Sequence, residues 1–168
     1  MATVQLRDIL TDEDRRAVMS LRRGPGQERY LGSMASHFED AAAEPRARPR
    51  MWSVHDGDQL VGFVMISDGI ETLDDDLVGP YYLWRLLIDE RFQGLGYGTA
   101  AIDAVVAYLR TRPGADFLWT SCQAGDGSPQ PFYLRYGFVR TGEVRWDEDL
   151  LRLDLGRSTG ASEAPSRG

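Results

Sequence analysis

Between Trp84 and Arg110 the chain passes from an apolar, branched run through a glycine turn into a helical pattern, and that order restricts its fold more than any other stretch. Leu86, Leu87 and Ile88 have the composition of a buried strand. Gly94, Gly96 and Gly98 stand at alternate positions in the turn that follows. Beyond them Ile102, Val105, Val106 and Leu109 recur at i, i+3, i+4 and i+7, one apolar face of a helix. Strand, glycine turn and helix in this order make an anion site. The N–H groups of the first helical turn have no partner within the helix, and the positive end of the dipole lies behind them. Glycine lets the backbone reach a phosphate with no Cβ in the way. Taken alone, the same residues also suit a glycine turn without a ligand.

Two nucleotide signatures are excluded. A P-loop requires Gly-x4-Gly-Lys-Ser/Thr, and the chain contains no lysine. A dinucleotide fingerprint requires glycine five residues after the first, where Thr99 stands, and several βαβ units where this chain offers one. Gln93-Gly94-Leu95-Gly96-Tyr97-Gly98 instead resembles the pyrophosphate loop of the GNAT acetyltransferases, Gln/Arg-x-x-Gly-x-Gly/Ala, with Gln93, Gly96 and Gly98 at the motif positions. The resemblance implies that Gln93 to Thr99 holds the diphosphate of acetyl-CoA.

The remaining pattern is that of an α/β domain. Thr3 to Ile9 alternates as a first strand, and Thr11 is placed to cap a short helix with Asp12, Glu13 and Asp14 in its first turn. Gly24-Pro25-Gly26 breaks the chain, and one helix is expected over Gln27 to Ala43. Met51 to Val54 and Leu60 to Ile66 make a hairpin around Asp56-Gly57. Tyr81 to Ile88 is the central strand and Phe117 to Cys122 the next. Ser128 can cap a helix beginning at Pro129, and Val139 to Trp146 with Leu150 to Leu155 suits a closing hairpin. This order resembles the GNAT topology, which implies a mixed sheet of about seven strands with about four helices, splayed between strands 4 and 5. Residues 1–155 are expected to form the one domain, and 156–168, rich in Gly, Ser and Pro, a disordered tail.

A second motif points the same way. Tyr133-Leu134-Arg135-Tyr136-Gly137-Phe138 resembles the family's late Tyr-x-x-x-Gly-Phe signature. The resemblance makes Tyr133 the general acid for the departing thiolate of coenzyme A; its bland alternative is a core aromatic. It also implies main-chain contacts from Leu86, Leu87 and Ile88 to the pantetheine arm. The family's asparagine seven residues before the tyrosine is Asp126 here, which accepts hydrogen bonds but cannot donate an amide proton. Polyamine acetyltransferases often carry a glutamate base on the central strand, but Leu83-Trp84-Arg85 contains no carboxylate. A water relay, a carboxylate such as Glu28 or Glu71, or no base at all is left for that role.

Gly62-Phe63-Val64-Met65 and Tyr82-Leu83-Trp84-Arg85 resemble the bacterial spermine/spermidine acetyltransferases, which implies a polyamine acceptor. Amine antibiotics such as aminoglycosides, peptide N-termini, and a non-catalytic acyl-CoA sensor are the alternatives. The net charge of -7 disfavours nucleic acid and anionic membrane as partners and suits a cation, though acidity also serves solubility. The acidic run Glu71 to Asp76 would attract a polyamine or be a solvated loop, and Trp84 is a candidate wall of the acceptor site. Cys122 reads as a small core residue, and His37 and His55 lack metal-ligand spacing, so no metal is assigned. One cysteine and no apolar run of membrane-spanning length point to the cytoplasm. Dimers are common among similar proteins, so a homodimer is the assembly the resemblance suggests.

Overall fold

A computed structural model describes residues 1–156 of the chain; the expectation for the tail lies, apart from Gly156, outside the described residues. Seven strands form one sheet: β1 (Gln5–Asp8), β2 (Pro49–Asp56), β3 (Gln59–Asp68), β4 (Tyr81–Ile88), β5 (Phe117–Cys122), β6 (Val139–Arg145) and β7 (Glu148–Asp154). Their spatial order is β1-β2-β3-β4-β5-β7-β6. β4 and β5 are parallel and every other pairing is antiparallel. Four helices complete the fold: α1 (Asp12–Met19), α2 (Met34–Ala43), α3 (Tyr97–Leu109) and α4 (Gln130–Tyr136).

Local chemistry sets the boundaries. The Thr11 hydroxyl accepts from the Asp14 N–H at 3.1 Å while the Asp14 carboxylate takes the Thr11 N–H at 3.0 Å, a reciprocal cap on α1. The single helix expected over Gln27 to Ala43 is divided. A 3₁₀ turn covers Gln27–Arg29, and α2 starts afresh at Met34 because the Ser33 hydroxyl accepts from Ser36 N–H at 3.1 Å. In the β2–β3 hairpin Asp56 pairs with Gln59, so Gly57 and Asp58 make the turn, one residue beyond Asp56-Gly57. β7 begins at Glu148 instead of Leu150, because Trp146 and Asp147 take positive φ (53° and 62°) and close the hairpin early.

The sheet buries both faces. On one, Ile102, Val105 and Leu109 of α3 and Phe138 after α4 pack on Val54, Val64, Leu83, Leu118 and Leu151. On the other, Val18, Leu21, Met34, Phe38 and Ala41 from α1, α2 and the chain after α1 cover Phe63, Met65 and Leu87. Side chains of this size each contribute about 1.5–3 kcal/mol when fully buried.

The sheet is interrupted where the two motifs meet. Met65 pairs with Arg85 but Ile66 pairs with Leu83, so Trp84 is an extra residue, a β-bulge in β4. A bulge bends its strand and exchanges the faces beyond it. Accordingly Leu83 belongs to the α3-side core, Leu86 and Ile88 pack against that same core, and Trp84 and Leu87 lie with the α1–α2 core. The bent strand stays beside β5 only at Tyr82↔Trp119. One side chain reaches across just past that pair: Thr120 Oγ1 donates to Leu83 O at 2.9 Å.

Candidate active site

Past Leu83, β4 has no partner strand on the β5 side, so the edge from Trp84 to Ile88 is left open. Backbone polar groups there need a partner, and an extended ligand lying along the edge would supply one. The edge leads to the glycine turn. Gly94 and Gly96 take φ of 75° and 88°, the left-handed region that only glycine enters without strain, and Gly96 caps α3. Gly98 serves a different purpose. A Cβ there would stand 3.1 Å from the Phe132 ring, so its bareness lets α4 pack close to the start of α3. Among the described residues, no protein acceptor takes the N–H groups of Gly94 to Thr99.

The Gln93 side chain does not reach into this amide cradle. Its Nε2 donates to Ile88 O and to Gln27 Oε1, each at 2.9 Å, tying the end of β4 to the loop after α1.

Three cavities adjoin along this opening. A cleft of about 470 Å³ is lined by Leu86, Ile88, Gln93, Gly94, Gly96, Tyr97, Gly98 and Thr99, with Phe132, Tyr133 and Arg135 of α4 opposite. It shares Gln27, Leu86, Pro129 and Tyr133 with a central cavity of about 170 Å³. The central cavity in turn shares Tyr82, Trp84, Arg85 and Glu148 with a third of about 300 Å³ on the far side, where Glu44 and Asp76 also stand. Tyr133 therefore stands at the junction of the first two. Desolvation pushes its hydroxyl far above the usual phenol range, so it holds its proton at neutral pH.

The central cavity has defined electrostatics. Arg85 lies on the α2 side of the bulge and donates to His37 Nδ1 at 3.2 Å, to Trp84 O at 2.8 Å and to Asp40 Oδ2 at 3.4 Å. Burial and this guanidinium hold His37 neutral, with its pKa lowered to about 4. Cys122 is buried and its thiol is pushed up to about 11 by desolvation, so it is no thiolate nucleophile at neutral pH. Among the described residues no group of three or more His, Cys, Asp or Glu could hold a metal ion.

The structure brings together Leu86, Ile88, Gln93, Gly94, Gly96, Tyr97, Gly98, Thr99, Trp84 and Tyr133 on the cavity walls. It leaves others elsewhere. Leu87 is buried against the α1–α2 core, and the Leu95 side chain is exposed. Asp126 lies outside the three walls, and its carbonyl accepts from Tyr30 Oη at 2.8 Å. Glu28 is exposed and off the walls, while Glu71 is paired with Arg48 at 2.6 Å. Glu148, Ser121 and Tyr82 line the central cavity without having been picked out from sequence. Counting back from Leu150 by two places Glu148 on the Leu150 face of β7, but only the pairing Ser121↔Leu150 shows that this face turns to the cavity.

The profile described as Acetyltransferase (GNAT) family matches residues 7–138. A curated relative, the spermine/spermidine N(1)-acetyltransferase of Bacillus subtilis (strain 168), is 30% identical over 86% of this chain and 93% of its own length. Among solved structures, aminoglycoside acetyltransferase AAC(6')-Ib in complex with coenzyme A superposes with a TM-score of 0.70. That match has 17% identity and covers 90% of this chain and 95% of the other. The ribosomal-protein-S18-alanine N-acetyltransferase of Escherichia coli gives 0.61 at 16% identity, over 98% of this chain and 100% of the other. At such identities these two likenesses speak for the fold.

Proposed function

Because the chain belongs to the GNAT acetyltransferase family, whose acetyl donor is acetyl-CoA, we propose that it acetylates a primary amine of a small polycation such as spermidine or spermine. The diphosphate of the coenzyme lies on the free amides between Gly94 and Thr99, against the positive end of α3. Its pantetheine arm runs along the open edge at Leu86 and Ile88. A main-chain N–H on that edge polarises the acetyl carbonyl, an effect typically worth about 3 kcal/mol. The amine enters from the far cavity and attacks directly. As the C–S bond breaks, Tyr133, which is protonated at neutral pH, gives its proton to the sulfur.

One observation carries this reading: Tyr133 and Leu86 belong at once to the walls of the coenzyme cleft and of the central cavity. The reacting carbon has a place only where these meet. The polyamine class is supported by the Bacillus subtilis relative and by Asp76 and Glu148 on the acceptor side. Such a reaction suits the reducing cytoplasm, where Cys122 stays a thiol.

The test is thiol release from acetyl-CoA with spermidine, spermine, an aminoglycoside and a short peptide as acceptors. Spermidine or spermine is expected to give the highest kcat/KM. Tyr133→Phe should lower kcat at least 100-fold while calorimetry finds acetyl-CoA affinity nearly unchanged. No release with any amine, despite coenzyme binding, would favour an acyl-CoA sensor. Full turnover in Tyr133→Phe would remove the tyrosine from the reaction.

A further inference from the structure

An amine of pKa near 10 arrives as an ammonium ion and must lose a proton before it can attack. Two carboxylates considered from sequence are poorly placed: Glu28 is off the cavity walls and Glu71 is held by Arg48. The first residue of β7 is not. Glu148 lines both the central and the far cavity, where the acceptor would pass from one to the other. Its Oε2 accepts from the Ser121 hydroxyl on β5. Ser121 Oγ is also bonded to Tyr82 Oη on β4, and since the serine proton points at the carboxylate, the tyrosine is the donor in that second bond. The chain Tyr82→Ser121→Glu148 thus runs from the last paired position of β4 over β5 to β7 and fixes the carboxylate from one side. The other oxygen, Oε1, takes no protein donor among the described residues. No arginine is paired with Glu148 there either.

We propose that Glu148 is the general base of the acetyl transfer, a reading that rests on the acetyltransferase function above. Oε1 accepts a proton from the ammonium as the N–H bond breaks. The freed nitrogen pair attacks the acetyl carbon, the C–N bond forms and the C–S bond breaks. Tyr133 protonates the departing sulfur. Water in the far cavity then removes the proton from Glu148, and Tyr133 regains one from water. Ser121 is a positioning residue, because it acts through the carboxylate it holds.

Every neighbouring element contributes to the electrostatics at Glu148. β4 presents Tyr82 and Arg85, whose charge is shared with Asp40; β5 presents Cys122; Tyr133 belongs to α4. Glu44, held by Arg46, and Asp76 line the far cavity; Arg145 stands opposite Glu148 in the β6–β7 register but donates to Asp75 O at 3.1 Å, and Asp149 follows Glu148 in the chain, bonded to Gln130. Tyr82, with its pKa pushed up to about 12 by desolvation, and Cys122 both stay neutral at physiological pH, so neither competes for the proton.

The experiment compares wild type, Glu148→Gln, Glu148→Asp and Ser121→Ala, with spermidine and acetyl-CoA, from pH 6 to pH 10. Wild type should show kcat/KM that is flat across neutral pH. Glu148→Gln, which can still accept from Ser121, should lose about 100-fold at pH 7. Its deficit should shrink about tenfold for each added pH unit as free amine replaces ammonium, while acetyl-CoA affinity and melting temperature stay near wild type. Glu148→Asp should recover part of the flat profile, and Ser121→Ala should keep that profile at a lower kcat. A wild-type profile in Glu148→Gln, or a rise in KM with kcat unchanged, would overturn the proposal by making Glu148 a bystander or a binding charge. Should Glu148→Gln fail to fold, the kcat values of Glu148→Asp and Ser121→Ala decide: both equal to wild type would overturn it. Wild type that binds acetyl-CoA but acetylates no amine would instead overturn the underlying function.

Discussion

His37 shows how one buried side chain can set the acid limit of the fold. It is fully buried, stacks on Phe63 with centroids 6.0 Å apart, and leaves Nε2 without a partner among the described residues. Desolvation first, then Arg85, lowers its pKa from 6.5 to about 4. An unfolded chain therefore binds a proton at His37 below about pH 6.5 that the folded chain refuses until about pH 4. Stability is unaffected above that window and falls as pH drops through it, because the unfolded state binds more protons. At 1.36 kcal/mol per unit, His37 accounts for a loss on the order of 3 kcal/mol by pH 4. His55, also lowered by desolvation, adds in the same direction, whereas the depressed carboxylates Asp14, Asp74 and Asp89 act only below their unfolded value of 3.8. His37→Gln should thus flatten the decline in unfolding free energy between pH 6.5 and pH 4.5, as read by urea titration at each pH. An undiminished slope would place the acid sensitivity elsewhere. Composition alone suggests none of this: in sequence His37 is a histidine on a helix, and only the fold encloses it.

At the scale of elements, the strand–turn–helix unit was legible because its signals are local. The apolar positions of α3 at Ile102, Val105, Val106 and Leu109 are all buried, and Gly96 takes its positive φ as the cap. Non-local features were not. The bulge at Trp84 depends on pairing with β3, twenty residues away, and nothing within Leu83-Trp84-Arg85 announces an unpaired residue. The same holds for Glu148, whose place on the cavity walls depends on β5 lying beside β7. Gln93 illustrates a further limit: its position in the glycine motif is readable, yet its side chain binds Ile88 O and Gln27, which a local pattern cannot express. The unit makes a definite prediction. Gly96→Ala forces a Cβ into the left-handed region, which costs about 1–2 kcal/mol, although the space around the new methyl is open, with Ala2 Cβ at 3.8 Å. The melting temperature should fall by about 2–8 °C. If relief of that strain turns the amides of the first helical turn, acetyl-CoA affinity should fall in parallel by calorimetry. Unchanged stability and affinity would show that the αL cap is dispensable to the anion cradle.

On the scale of the whole molecule, the sheet separates two charge environments. The cleft that the proposal gives to the coenzyme is lined by the start of α3, with its free amides, and by Arg135. The far cavity, which the proposal gives to the acceptor, presents Asp76 and Glu148 against Arg85, Glu44 beside them being held by Arg46 at 3.0 Å. The acidic run Glu71 to Asp76 contributes less than its composition implies, because Arg48 holds Glu71 at 2.6 Å and Arg46 holds Asp74 at 2.9 Å. Asp76 has no ion pair among the described residues, and with Glu148 it faces the cavity. Attraction of a polycation across this space, added to the overall charge of -7, is long-ranged and therefore screened by salt, with a Debye length of about 10 Å at 0.1 M and about 3 Å at 1 M. KM for spermidine should rise several-fold between 0.05 and 0.5 M NaCl, while a monoamine of similar length, which carries only the charge consumed at the reacting nitrogen, should show a smaller rise. Tyr133 is buried, so if it is the acid, as proposed, kcat should stay level for both acceptors. Asp76→Asn should reduce the salt dependence for spermidine and leave that of the monoamine alone. Equal salt responses for the two amines would mean that the remote charges of the acceptor find no partner on this face, and that shape selects the substrate instead.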